Sequence, residues 1–407
     1  MRSTREGFFG WRVVAAAFAV AVFGWGFGFY GPPVFLHAVE AGRGWPLWLV
    51  SAAVTCHFLA GAAVVARLAA LHRRFGVAAV TRGGAVLAAA GLLGWAFAAE
   101  PWQLFLATLF SGAGWATMGA AAISAMVAPW FTQRRPAAIG AAFNGASVGG
   151  VVFSPLWVAL IGWIGFGATA VLVGAVMVAV LWWLSGRYLA ATPAALGLAP
   201  DGLAADAPSV VPSRPVAALG GAPWRDRRFA TLAAANALGL FAQIGLVAHL
   251  VSHLAPVLGA QGAGFAMGMA TACAIAGRSL IARLLRPGAD RRRAAASNYL
   301  VQVAGMALLA LAGGEEWLLL AGVALFGLGL GNATSLTPLI AQQDFSDRDA
   351  ARVVALVVAV GQAGYAFAPA AFGLLREVDG GAMFWVAAVC QAAAVVAVLA
   401  GRGGRGS

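Results

Sequence analysis

One side chain in this sequence is chemically out of place. Arg278 sits in an apolar run from about residue 263 to 286, about 8 residues and roughly 12 Å inside its end at 1.5 Å per helical residue. A guanidinium at that depth in hydrocarbon costs at least ~2.5 kcal/mol and demands a partner or a water-filled cavity. The chain offers no deep acid: Glu6, Glu40, Glu100, Asp201, Asp206, Asp226, Asp290, Glu315, Glu316, Asp344, Asp347, Asp349, Glu377 and Asp379 all fall at the ends of apolar runs or between them. The partner that remains is a bound anion, for which an arginine fork supplies two parallel charge-assisted hydrogen bonds and a charge that is never lost. A competing reading has Arg278 snorkelling toward the surface beside Arg283 and bonding helix carbonyls. A dicarboxylate would favour a second deep cation, which is missing, so a monoanion is the expectation. Exporters of lipophilic cations want a buried carboxylate, and intramembrane hydrolases need acid or His–metal clusters; both are disfavoured.

Other polar residues within apolar runs are candidates to complete an anion site. Asn144 and Asn332 either donate to a carboxylate or cross-link helices. Gln362 and Tyr365 are three apart and share a helix face. His57, alone in its run, reads either as a hydrogen-bonded core residue or as part of a proton path. His249 and His253 are four apart, so two imidazoles share one face, either solvated or relaying protons. Cys56, Cys273 and Cys390 are far apart in apolar stretches, which supports neither a metal site nor a disulfide. No metal or other cofactor is expected.

The elements that must hold these groups follow from composition. With 62% hydrophobic and only 10% charged residues over 407 positions, the chain carries apolar surface that only lipid could cover. A hydrocarbon core roughly 30 Å thick is crossed by about 20 apolar residues of helix. Twelve such spans are predicted, at 11–36, 47–71, 77–98, 102–128, 137–161, 165–188, 228–254, 263–286, 294–313, 316–340, 351–374 and 381–400. The first is too long for the core of a cleaved signal peptide and is read as a retained span.

Arginine sets the orientation. Arg2, Arg5 and Arg12 precede the first span, and Arg73-Arg74, Arg134-Arg135, Arg225/Arg227/Arg228, Arg291-Arg292-Arg293, Arg348/Arg352 and Arg402/Arg405 mark every second connection after it. The other connections carry only Arg43 and Arg376. Both termini are therefore expected in the cytoplasm. The basic run at 291–293 reads as an orientation signal that also meets anionic lipid. All basic residues being Arg, with abundant Ala and Gly, matches a GC-rich bacterial genome and hence a cytoplasmic (inner) membrane. The net charge of +12 is spread between apolar runs rather than gathered on one face, so a nucleic-acid partner is not expected.

The longest connection holds Pro193, Pro200, Pro208, Pro212, Pro215 and Pro223 and reads as a cytoplasmic linker. The expected domains are an N-terminal six-helix bundle (1–188), the linker (189–227) and a C-terminal six-helix bundle with a short tail (228–407). The halves repeat. Ala66-Arg67-Leu68 recurs as Ala282-Arg283-Leu284 and Phe110 as Phe326, each 216 positions on; Phe131 recurs as Phe345 and Pro155 as Pro369, each 214 on. Parallel repeats of six spans are a plan of rocking-bundle carriers. Small residues four apart, Gly145/Gly149 and Gly327/Gly331, are read as close helix packing.

The link between spans 4 and 5 reads Trp130-Phe131-Thr132-Gln133-Arg134-Arg135-Pro136-Ala137-Ala138-Ile139-Gly140, followed by Asn144-Gly145-Ala146-Ser147-Val148-Gly149-Gly150 and Ser154-Pro155. It resembles the W-F-x-x-R-R-x-x-A-x-G…G-x-x-x-G…P pattern of the major facilitator superfamily, in its branch of monocarboxylate transporters and oxalate/formate exchangers. Gly10-Trp11-Arg12, Gly44-Trp45 and Gly277-Arg278 are similar to the same branch. The loop between spans 2 and 3 departs from the superfamily's G-x-x-x-D-R-x-G-R pattern: Arg67-Leu68-Ala69-Ala70-Leu71-His72-Arg73-Arg74-Phe75-Gly76 lacks the acid. The resemblance implies the major facilitator fold, a gating role for Trp130, Phe131, Arg134 and Arg135, and an anion held by the arginine of span 8.

These readings converge on an all-α membrane protein that is no enzyme. It is expected to be a monomeric secondary transporter moving a small organic anion, a monocarboxylate, by alternating access, as an exchanger or with a coupled proton or counter-anion. The alternative is an exporter of uncharged lipophilic compounds in which Arg278 is structural.

Overall fold

A computed structural model describes residues 8–202, 223–285, 289–379 and 381–402. Arg2, Arg5, Glu6, Asp206, Pro208, Pro212, Pro215 and Arg405, and the side chains of Ala282, Asp347 and Arg348, lie outside the described residues.

Every regular element among the described residues is a helix. Among the described residues, nine helical runs are long and apolar enough to cross a membrane. Two of them, Arg135–Leu189 and Arg227–Ile281, have 55 residues each, too many for one crossing. Each is interrupted by one glycine, Gly165 (φ 78°, ψ 161°) or Gly259 (φ 70°, ψ 164°). That backbone region is open to glycine almost alone, so each run makes two spans joined by a minimal turn. The sequence patterning places longer loops there, because one glycine among apolar neighbours gives little sign of a reversal. Span 10 is split into Glu316–Gly329 and Asn332–Asp344, and with it the crossings number twelve.

Other spans are also broken. Span 1 is Phe9–Gly28 then Gly31–Arg43, span 2 is Leu47–Val65 then Leu68–Phe75, span 4 is Pro101–Ala116 then Ala120–Val127, and span 11 is Asp347–Tyr365 then Ala368–Val378. The breaks of spans 4 and 10 occupy matching places in the repeat, since Ala116 and Gly329 are 213 positions apart. Unwound backbone inside a span leaves carbonyl and N–H groups that must find partners within the protein.

The described chain forms two compact units. One holds the residues up to Trp45 and those from Cys56 toward the linker; the other holds Pro46–Thr55 with the chain beyond the linker. Pro46–Thr55 joins the second unit through specific bonds: Trp48 N–H donates to Glu377 Oε1 (3.1 Å) and Ala370 N–H to Thr55 Oγ1 (3.1 Å).

In the first unit span 5 lies directly on span 1. A methyl on Gly149 would stand 3.1 Å from Gly26 N and 3.2 Å from the Val22 carbonyl carbon, which accounts for the small residues there. Trp157 Nε1 donates to Gly26 O (2.9 Å) nearby. In the second unit a core of Phe229, Leu232, Tyr299, Ile340, Phe345 and Val357 joins spans 7, 9, 10 and 11. At its edge Arg292, only 2% exposed, pairs with Asp344 (2.7 Å) and donates to Arg228 O, Val398 O and Thr231 Oγ1. The 291–293 run is thus no simple lipid-facing signal, because its middle member is an internal cross-link between spans.

Candidate functional site

The second unit assembles its polar residues around the break of span 10. Helix Glu316–Gly329 ends there, Leu330 is extended (φ −64°, ψ 130°), and Gly331 takes the left-handed conformation (φ 80°, ψ −12°) before the helix resumes at Asn332. The carbonyls released by the break find amide donors: Gly329 O accepts from Asn298 Nδ2 (3.3 Å) and Gln302 Nε2 (3.4 Å), and Leu328 O from Asn332 Nδ2 (2.9 Å). Asn332 also donates to Asn298 Oδ1 (2.8 Å), and Gln391 of span 12 donates to Gln302 Oε1 (3.1 Å) and Gly239 O (3.2 Å). Spans 7, 9, 10 and 12 are therefore stitched at one level by neutral amides, which fixes the break in place.

Arg278 comes to the same place from span 8. Its side chain is half-buried, and its Nη1 lies 3.7 Å from where a Cβ on Gly331 would stand. Gly277 makes this approach possible: a methyl there would be 2.8 Å from the Leu328 carbonyl carbon and 3.1 Å from its Cα. Gly327 is equally tight against Ala270, its added methyl 2.7 Å from the Ala270 Cα. Of the glycines read as packing residues, Gly145, Gly149 and Gly327 do pack helix on helix, whereas Gly331 forms the break.

Of the other candidates, Asn332 joins Arg278 at the break as a buried cross-linker, 1% exposed. Gln362 and Tyr365 are hydrogen-bonded to each other at the end of Asp347–Tyr365, on span 11 of the same unit. Asn144 is exposed on span 5 of the first unit. His57 lies in the first unit's core with both ring nitrogens engaged, Nδ1 with Ser111 Oγ (2.8 Å) and Nε2 donating to Gly28 O (2.9 Å), and it stacks on Trp115. His249 is fully buried rather than solvated, with Nε2 donating to Pro369 O (2.9 Å). His253 stands edge-on to Phe384 and lines a cavity of about 370 Å³.

The motif between spans 4 and 5 forms a cradle in the first unit. Trp130 and Phe131 are buried against Phe8, Phe9 and Trp11, and Arg135 Nε donates to Phe131 O (2.8 Å). Into the cradle fits Asp201, whose carboxylate accepts from the backbone N–H of Thr132 (2.9 Å), Gln133 (2.8 Å) and Arg134 (3.2 Å) and from Thr132 Oγ1 (2.5 Å). Burial alone would raise this carboxyl, but the hydrogen bonds from Thr132, Gln133 and Arg134 outweigh it and hold the group below the usual carboxylate range. The start of the linker is thereby pinned to the motif at the head of span 5.

Asp201 and the amides Asn298, Gln302 and Gln391 are absent from the sequence-derived candidates. A signal existed for three of them: Pro200-Asp201-Gly202 is a turn sequence, and Asn298 and Gln302 are one helical turn apart in an apolar run, whereas Gln391 stands alone.

The model of the Major Facilitator Superfamily matches residues 16–369. The chain belongs to this superfamily. It is 29% identical over 405 residues to "Monocarboxylate transporter 11" of Homo sapiens, covering 98% of this chain and 75% of that protein. The Mus musculus protein of the same name is 30% identical over 238 residues, 57% of this chain and 49% of the other. A crystal structure of the nucleoside transporter NupG superposes with a TM-score of 0.72 over 96% of this chain and 100% of that one, at 12% identity, a likeness of fold alone. A superfamily member with twelve spans is an integral membrane transporter.

Proposed function

We propose that this transporter moves a small monocarboxylate by alternating access, with Arg278 as the anion clamp. The observation that carries the reading is the position of Arg278: a half-buried guanidinium brought by Gly277 to the point where span 10 opens its backbone. A permanent cation with a planar donor fork suits a carboxylate, and the adjoining Asn332 and Asn298 hold the break rigid beside it. Gln362 and Tyr365 of span 11 complete the proposed set in this unit, and Asn144 of span 5 is proposed as a donor in the other. The likeness over nearly the whole chain to a protein named as a monocarboxylate transporter supports the same cargo.

Exchange of one anion for another fits the imidazoles better than proton symport, since His57 has both nitrogens committed to bonds. Trp130, Phe131, Arg134 and Arg135 form the gating motif, with both termini in the cytoplasm of a cell bounded by an inner membrane. The test is a thermal-shift series on purified protein with pyruvate, benzoate and an uncharged lipophilic drug. A ligand at a hundred times its Kd adds about 2.7 kcal/mol of apparent stability. Stabilisation by the carboxylates that vanishes in Arg278→Gln is the expected result; stabilisation by the uncharged drug alone, equal in both proteins, would overturn the reading.

A further inference from the structure

We infer a second anion pocket in the C-terminal unit, at the end of span 11, that binds small carboxylates bearing a short apolar body. It rests on the reading of the cargo as a small anion but not on Arg278. A cavity of about 370 Å³ is lined by Arg376, His253 and Ser252 on one side and by apolar groups, among them Pro256, Val257 and Phe384, on the other. That volume falls in the range of small-molecule sites, and this two-sided lining suits an organic acid better than an inorganic ion.

The charged side of the pocket is built. Arg376 Nη1 donates to Ser252 Oγ, which in turn donates to His249 O (3.1 Å), so a neutral hydroxyl fixed to span 7 orients the guanidinium. The Arg376 charge acts on both His249 and His253, placing cation and imidazoles in one neighbourhood. The pocket also takes in Gly381, the N-cap of span 12, whose N–H is already bonded to the Asp379 carboxylate (2.9 Å). Of the nearby acids, Glu377 accepts from Trp48 N–H and Asp379 from the lining Gly381 N–H. Among the described residues that line the cavity there is no Asp or Glu. A carboxylate placed here would meet Arg376, with its hydrocarbon portion against Phe384 and Val257. The pocket lies in the connections expected on the outer side, where it would collect anions ahead of the span 8 site.

The test is reactivity of a reporter thiol. With Cys56, Cys273 and Cys390 changed to Ala, Val257→Cys is introduced into proteoliposomes of zwitterionic lipid. It is then modified by a sulfonate-bearing or a trimethylammonium-bearing methanethiosulfonate, each rate taken relative to free cysteine. The pocket predicts a preference for the sulfonate that falls roughly tenfold in Arg376→Gln, the size of effect that one unit charge lining the same cavity has at an intermediate dielectric. It further predicts protection by pyruvate that survives Arg278→Gln, is lost in Arg376→Gln and returns in Arg376→Lys. Should Arg376→Gln fail to fold, Ser252→Ala, which removes the hydroxyl that orients the guanidinium, is expected to weaken protection several-fold. Absence of protection, equal protection in Arg376→Gln, or protection lost only in Arg278→Gln would overturn the inference. Protection that appears only on adding phosphatidylglycerol would do the same, by giving the pocket to a lipid headgroup.

Discussion

Gly277→Ala separates the positioning of Arg278 from its presence. The added methyl would stand 2.8 Å from the Leu328 carbonyl carbon and 3.1 Å from its Cα, against ordinary carbon contacts of about 3.5–4.0 Å, so spans 8 and 10 must part by roughly 1 Å. Overpacking costs about 1–3 kcal/mol, and the gain in helix propensity from Gly to Ala returns about 1 kcal/mol, leaving a net loss of roughly 0–2 kcal/mol in stability. Binding suffers more, because a two-point fork displaced by roughly 1 Å keeps only one good hydrogen bond. One charge-assisted bond contributes about 1.5–3 kcal/mol, which is roughly a 10- to 100-fold rise in Kd. The assay is calorimetric titration of pyruvate into purified protein, with Gly83→Ala as the control, since nothing lies within 4 Å of that position's added methyl. The control should match the wild type. Wild-type affinity in a folded Gly277→Ala protein would refute the claim that this contact places the clamp.

Two further predictions concern the frame. Arg292→Ala leaves Asp344 and the carbonyls of Arg228 and Val398 without their cation; it should cost roughly 3 kcal/mol and lower Tm by about 6 °C or more, and a shift under about 1 °C would show the pair to be dispensable. Asp201→Ala should raise hydrogen-exchange rates at the Thr132, Gln133 and Arg134 amides at least about tenfold, the loss of one charge-assisted bond. The carboxyl is held below its ordinary value of 3.8, so its contribution is complete above that pH and fades as pH falls through the lower folded value. Protection factors at these amides should therefore be flat from pH 7 down to about 4 and drop only below; a drop near pH 6 would contradict the bonding described.

What the residues revealed and what they concealed divides along physical lines. Length and apolarity bring out the spans, because lipid leaves a crossing segment little choice but helix. The clamp candidate stands out for the same reason: one arginine in an apolar run is costly enough to be conspicuous. The breaks in spans 4 and 10 did not stand out, since glycine is common throughout this chain and only the fold shows that Gly331 takes a positive φ and that Gly119 is extended. The amide lattice of Asn298, Gln302 and Gln391 is equally quiet, because uncharged amides cost little in a span until the helices they join are known. His249 illustrates the opposite error: proximity to a span end suggested solvent, whereas the ring is buried and bonded to the Pro369 carbonyl. Asp201 was hidden by distance, its partners being 67 to 69 positions away in the chain.

The most direct measurement is pyruvate exchange in proteoliposomes by the wild type, Arg278→Lys and Arg278→Gln, with insertion of each protein verified. The account predicts saturable exchange in the wild type, a strong reduction in the lysine variant, which keeps the charge but loses the fork, and none in the glutamine variant. Undiminished exchange by Arg278→Gln would contradict it.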